Sequence, residues 1–432
     1  MIDKEVLKQV MVSNQRDVER YRIVRRELPL GFDCRVFVGV RRAGKSFMLY
    51  QKMQECLVQG HGWGEMLYLN FEDDRLAGFV VEDFESILEC HAQLSSVRPW
   101  LFLDEVQNID GWEKFARRLA DAKYKVWITG SNAKMLSSEI MTTLGGRYLA
   151  TEVFPYSFAE YMKKFQVPFD EVSQLATESR GRIFQNWEEY LRWGGLPESV
   201  DLPVKRDYLS STFQKIYLSD IALRNKVSNP NLLRLMLRKM AENVCQPVSY
   251  NRMANVLSSV GGKVSMPTVA KYIEAAEDAW VVLRLRNMSA AFADKEKNCK
   301  YYFVDNGILD LFLIDNKSAL LENLVALELF RRYGHDLDNE RVFFYSDKVE
   351  VDFYIPEEEL AIQVSYNISG AASTYEREMK ALGKITKVLP CKRRLVLTNG
   401  ETKVEEDDFG KIEVMPAWKF CLTSNIGTDR IH

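Results

Sequence analysis

Gly39-Val-Arg-Arg-Ala-Gly44-Lys45-Ser46 follows the apolar run Val36-Phe37-Val38 and precedes Phe47-Met48-Leu49-Tyr50-Gln51-Lys52-Met53, which reads as a helix. The stretch satisfies G-x-x-x-x-G-K-[ST] in the context that such a pattern needs: strand, glycine turn, helix N-terminus. Glycines let the backbone curl so that successive N–H groups point inward at phosphate oxygens. Lys45 then supplies a cation between the β- and γ-phosphates, and the Ser46 hydroxyl a ligand for the accompanying Mg²⁺. The expected nucleotide-binding set is Gly39, Arg41, Arg42, Ala43, Gly44, Lys45, Ser46 and Phe47.

Working outward, Pro99-Trp100-Leu101-Phe102-Leu103-Asp104-Glu105 places four apolar residues between a proline and two acids. This suits a parallel strand buried on both faces. Asp104 at its end is the candidate Mg²⁺ ligand with Ser46, and Glu105 the candidate for orienting or deprotonating the attacking water. Lys125-Val126-Trp127-Ile128-Thr129-Gly130-Ser131-Asn132 reads as another strand, with Ser131 and Asn132 positioned to sense a γ-phosphate. Tyr68 to Arg75 reads as a further strand ending in acids. Strands alternating with helices give a doubly wound α/β sheet whose ligand lies at the strands' carboxyl ends. Arg147, in Gly145-Gly146-Arg147-Tyr148, is a candidate arginine for the γ-phosphate of its own or a neighbouring subunit, or an ordinary surface residue. The expected catalytic set is Lys45, Glu105, Ser131 and Arg147, with ATP and Mg²⁺ as cofactors.

The chain has 432 residues, 47% hydrophobic and 28% charged, at a formal net charge of −3. That length suggests several domains, and that charge leaves any nucleic-acid attraction to a local patch. Seven scattered cysteines without a C-x-x-C pair, and four histidines, argue for free thiols and against zinc. The N-terminus lacks the apolar core of a signal peptide, and no apolar run approaches the roughly 18 residues of a membrane span. The expectation is a cytoplasmic protein with no membrane partner.

The domain order expected is an ATP-binding core over 1–150, a helical lid over 151–230, a winged helix-turn-helix over 231–290 and an α/β unit over 291–432. In 231–290, three helical stretches precede the strand-like Val281 to Arg286, and eight Lys/Arg face four acids. DNA is a candidate partner through this module; packing or a protein partner are the alternatives, since Glu274, Glu277 and Asp278 crowd its third helix. In the last unit, a helix acid, Asp352 on a hairpin strand, and Gln363 and Ser365 on the next strand follow the layout of a restriction-endonuclease-like metal site. Gln363 and Ser365 stand where a second acid and a lysine belong, with Arg377 and Lys380 as replacement cations. The expectation is a degenerate nuclease centre.

These motifs together resemble a family of predicted prokaryotic AAA+ ATPases that join a P-loop domain to a winged helix and a C-terminal endonuclease-like domain. The resemblance is carried by GVRRAGKS (39–46), YLNFEDDRL (68–76), LFLDEVQNIDGWE (101–113), ITGSNAKML (128–136), GGRYL (145–149), FPYSFAEYM (154–162), WGGLPE (193–198), LENLVALEL (321–329) and EVDFYI (350–355). It implies Lys45 and Ser46 on nucleotide and metal, Asp104 on Mg²⁺, and Glu105 as the water-activating acid. A homo-oligomer is among the expectations.

Overall fold

The computed structural model describes residues 2–31, 33–132, 135, 138–289, 298–334, 341–369 and 372–423. Two compact units divide the chain: Met1–Val153 with Asp278–Trp280, and Phe154–Glu277 with Val281–His432. Among the described residues no helix is long and apolar enough to cross a membrane. The seven cysteines are free thiols.

The first unit opens with helix α1 (Lys4–Arg20), started by the Asp3 carboxylate accepting from the Glu5 N–H. Then follow β1 (Cys34–Val38), α2 (Lys45–Val58), β2 (Met66–Asn70), α3 (Phe84–Leu94), β3 (Trp100–Asp104), α4 (Trp112–Asp121), β4 (Val126–Gly130), α5 (Ser138–Leu144) and β5 (Leu149–Glu152). All five strands run parallel in the order β2-β3-β4-β1-β5. β1 and β4 are buried throughout, as expected of strands covered by helices on both faces. α4 contributes Trp112, Phe115, Ala116, Leu119 and Ala120 to that cover, on one stripe of the helix. Register aligns the strand ends: Val38 lies level with Gly130, and Asn70 with Asp104. The polar residues that follow are therefore gathered along one edge.

In the second unit, helices over residues 158–242 lead into Tyr250–Gly261 and Met266–Asp278. A nine-stranded mixed sheet follows, built from β6 (Val248–Ser249), β7 (Val282–Asn287), β8 (Asn298–Phe303), β9 (Phe343–Ser346), β10 (Glu350–Ile355), β11 (Leu360–Val364), β12 (Arg393–Thr398), β13 (Lys403–Asp407) and β14 (Gly410–Pro416). Its order is β13-β14-β12-β11-β10-β9-β7-β8-β6. The stretch read as a winged helix-turn-helix holds the helices Pro230–Glu242, Tyr250–Gly261 and Met266–Asp278, with β6 and β7 each antiparallel to β8. The structure differs in one respect: β7 pairs in parallel with β9, so the expected boundary at 290/291 falls inside one continuous sheet. Of residues 151–230, read as a lid, those from Phe154 onward belong to this second unit.

Candidate nucleotide site

The phosphate-loop residues cross from β1 to α2. Gly39 has φ 150°, and a Cβ there would lie 2.2 Å from the Val153 carbonyl oxygen, so only glycine fits. Arg42 and Gly44 take positive φ, 66° and 96°, which wraps the loop and aims the start of α2 at its centre. Lys45 is buried, its Nζ donating to the Gly39 and Val40 carbonyls at 3.1 Å each and lying 3.7 Å from Glu105 Oε1. Arg41 ion-pairs Glu72 at 3.0 Å. Arg26 Nη1 donates to the Ala43 carbonyl at 3.1 Å and buttresses the loop from outside. Phe47 is exposed and packs at a tilt against Tyr50 and Tyr21, each with ring centroids 5.3 Å apart.

Asp104 is buried at the end of β3. Its Oδ2 accepts from the Tyr68 hydroxyl at 2.8 Å and its Oδ1 from the Thr129 hydroxyl. Burial, then the neighbouring Glu105 charge, push its pKa up to about 6 against hydrogen bonds from Thr129, Ser46 and Tyr68. Glu105 behaves oppositely. Burial disfavours its charge, but Lys45, the Gln107 amide and Arg41 outweigh that and hold it below the usual glutamate range. It is therefore a carboxylate at neutral pH, able to accept a proton. Its backbone N–H donates to Thr129 Oγ1 at 2.9 Å, so one hydroxyl ties both acids together. Gln107 Nε2 donates to Glu105 Oε2 at 2.5 Å and approaches Ser131 Oγ at 3.4 Å.

Lys45, Ser46, Asp104, Glu105 and Ser131 thus converge at the carboxyl edge of the sheet. Arg147 does not. It lies two residues before β5, at the amino edge, and ion-pairs Asp121 at the end of α4. The expectation of Arg147 facing a γ-phosphate in its own chain is corrected: parallel strands put the residue before β5 at the end opposite the loop after β1. The acids after Tyr68 are also reassigned. Glu72 pairs with Arg41, and Asp73 accepts from the Arg75 N–H at 3.0 Å, capping a turn. Tyr68, Thr129 and Gln107 are site residues without an expected role; the alternation of β4 and the Glu105-x-Gln107 spacing are the signals that point to them. Of 128–136, residues 133, 134 and 136 lie outside the described residues.

The site fits ATP with Mg²⁺. A loop that admits only glycine at Gly39, a buried ammonium facing it, and a buried carboxylate hydrogen-bonded with Ser46 form the donor set this chemistry needs.

Of the residues expected in a nuclease-like layout, Asp352 and Gln363 line a cavity of about 460 Å³ in the second unit together with Glu322, and Ser365 is not among its lining. Glu322, on the helix Lys317–Tyr333, is the helix acid of that layout. Between Glu322 and Asp352 stands the buried Lys300 of β8, its Nζ 3.7 Å from Glu322 and 3.5 Å from Asp352. Burial works against that ammonium, yet Asp352, Glu322 and Glu350 together hold its pKa above the usual lysine value. Glu322, buried beside Asp352, is pushed up. Gln363 is committed at both ends of its amide: Oε1 accepts from the Asp352 N–H at 2.7 Å, and Nε2 donates to Glu378 at 2.5 Å. Arg377 pairs with Glu378 and Lys380 with Glu376, both cations lining the same cavity. Among the described residues no three His, Cys, Asp or Glu side chains form a metal cluster. The Lys300 ammonium stands between the two carboxylates and offsets their charge.

A five-stranded parallel sheet with this loop and paired acids defines a P-loop ATPase of the AAA class. Residues 33–162 match a family model described as an AAA domain, and residues 184–318 and 317–420 match two described as domains of unknown function. An uncharacterized protein of Methanocaldococcus jannaschii is 31% identical over 442 residues, covering 98% of this chain and 97% of that one. A second uncharacterized protein, of Haemophilus influenzae, is 33% identical over 345 residues, covering 77% and 82%. The chain belongs to one family with these two proteins. A solved Walker-type ATPase of Pyrococcus abyssi overlaps 73% of this chain and 96% of its own at 15% identity and a TM-score of 0.37.

Proposed function

We propose that the chain is a Mg²⁺-dependent ATPase whose nucleotide state is coupled to its winged-helix-like and C-terminal parts. The observation that carries this reading is Lys45 Nζ lying 3.7 Å from Glu105, with Asp104 buried one residue earlier at the same strand edge. Lys45 now donates to two neutral carbonyls; phosphate oxygens, being charged, make the stronger acceptors. Ser46 and Asp104 would hold Mg²⁺, which when bound offsets phosphate charge. Glu105, kept ionised by Lys45 and Gln107, orients water and takes its proton. Gln107 and Ser131 fix the direction of that carboxylate.

Phosphate release measured with Lys45→Ala and Glu105→Gln tests the reading. Lys45→Ala is expected to abolish turnover, and Glu105→Gln to keep nucleotide binding while slowing hydrolysis by about 10²–10⁴-fold. Wild-type turnover in both variants would overturn it. The Lys300-filled cluster supports a companion reading, that the C-terminal centre cleaves no nucleic acid. Plasmid incubated with Mg²⁺ or Mn²⁺ is expected to remain intact, and cleavage lost in Asp352→Ala would overturn that. DNA or a protein partner at the three-helix module, and self-association, complete the proposal.

A further inference from the structure

A second cavity, of about 560 Å³, lies within the second unit between the helices Lys205–Lys215 and Pro230–Glu242 and the turn 311–314. Its volume suits a ligand of nucleotide size. Arg206, Arg234 and Arg238 line it against one acid, Asp207. Arg206 lies 3.7 Å from Asp310, and Arg238 donates to Glu242 at 3.3 Å. Arg234 is exposed and has no partner among the described residues. Two guanidinium groups four residues apart on one helix face repel, and an anion between them removes that repulsion.

The opposite wall is aromatic. Phe213 is buried, stacked on Tyr217 with centroids 5.6 Å apart and met edge-on by Phe312 at 5.0 Å. Tyr217 and Phe312 are half-buried, so ring surface faces the cavity. Tyr217 is also the second residue of an eight-residue π-helix, Ile216–Leu223, that continues the helix Lys205–Lys215. Widened turns of this kind are rare and recur at functional sites. Paired arginines beside an accessible ring form a stacking platform with an electrostatic funnel. A duplex hides its base faces; a single strand offers both base and phosphate.

We propose that this cavity binds single-stranded nucleic acid, one base stacking on Tyr217 while the adjoining phosphate meets Arg234 and Arg238. The proposal stands apart from the ATPase reading, because none of these residues touches the phosphate loop's chemistry. Fluorescence anisotropy of the full chain with a labelled twelve-nucleotide oligo-dT strand tests it. Saturable binding that weakens with salt is expected. Arg234→Glu with Arg238→Glu should lower affinity by about tenfold or more and flatten the salt dependence. Tyr217→Ala should lose about tenfold, whereas Tyr217→Phe should retain binding. Melting curves and ATP turnover matching wild type would show that the variants are folded. No saturable binding at low salt would overturn the proposal, as would affinity within twofold of wild type in the arginine and alanine variants, or tighter binding of a duplex of equal length. Displacement of the strand by dTMP alone at comparable concentration would assign the cavity to a free nucleotide, and the strand proposal would fall.

Discussion

Glu105 adopts φ 51°, a left-handed conformation that costs a residue bearing a Cβ about 1–2 kcal/mol. The strain is met where the chain needs a carboxylate turned back toward Lys45 immediately after a buried strand. Gln107 completes that turn: its amide nitrogen bridges Glu105 and Ser131, while its buried Oε1 has no hydrogen-bond partner among the described residues. An unsatisfied buried acceptor costs about 1–3 kcal/mol, so Gln107 is poor value for stability alone. Replacing it separates its two contributions. Gln107→Ala is expected to leave the melting midpoint within a few degrees of wild type while kcat falls about tenfold and KM for ATP changes little. A parallel loss of stability and turnover would assign Gln107 to packing instead. Steady-state ATPase assays and a thermal melt decide between them.

At the scale of elements, the connection between Gly194-Gly195 and the strand end at Asp305 joins residues far apart in sequence within the second unit. The Asp305 carboxylate accepts from the Gly195, Gly307 and Ile308 N–H groups at 2.8, 2.9 and 3.3 Å. Burial pushes its pKa up to about 6, above the unfolded value. The native state therefore binds a proton here more readily than the unfolded chain. The stability this group adds is fully present below about pH 4 and is lost as the pH rises through 6. Asp305→Asn does not titrate and presents an amide N–H to that of Gly195. The melting gap between wild type and Asp305→Asn is expected to be widest at about pH 4 and below and to narrow toward pH 7. The full effect is worth about 3 kcal/mol by the shift in proton affinity. A gap independent of pH would show that Asp305 ionises in the native state as freely as in the unfolded chain.

Strands β1, β3 and β4 were legible in the sequence because burial on both faces demands short apolar runs, and each run ends in a residue of the site. β2 was legible as a strand, but the acids after it were not legible as ion-pair and turn partners, since Glu72 depends on where Arg41 points. The side of Arg147 follows from parallel pairing of β5, which no local pattern encodes. Lys300 was illegible for a related reason: its function arises from the sheet bringing β8 and β10 beside a helix from residues 317–333.

For the whole molecule, that convergence predicts how the chain responds to metal. Lys300→Met would leave Glu322 and Asp352 buried with no ammonium between them, at a cost of about 3–5 kcal/mol. Thermal melts are expected to show Lys300→Met destabilised and partly restored by millimolar Mn²⁺, while wild type is indifferent to it. A rise in the wild-type midpoint with Mn²⁺ would mean that a divalent ion enters beside Lys300.

The strand order of the second sheet carries a consequence for how the chain is made. The first sheet has all its strands by residue 152, whereas the second is laid down almost in sequence from β6 at one edge toward β13 at the other. As synthesis proceeds from the N-terminus, β9, β10, β11 and β12 each extend an edge that is bare until the next one is translated, whereas β14 fills the place between β12 and β13. The exposure ends with Lys403-Val404-Glu405-Glu406-Asp407, a short, charged and largely exposed strand. Charge on a closing edge discourages a neighbouring chain from continuing the ladder, so β13, once β14 has paired between it and β12, guards the sheet against aggregation.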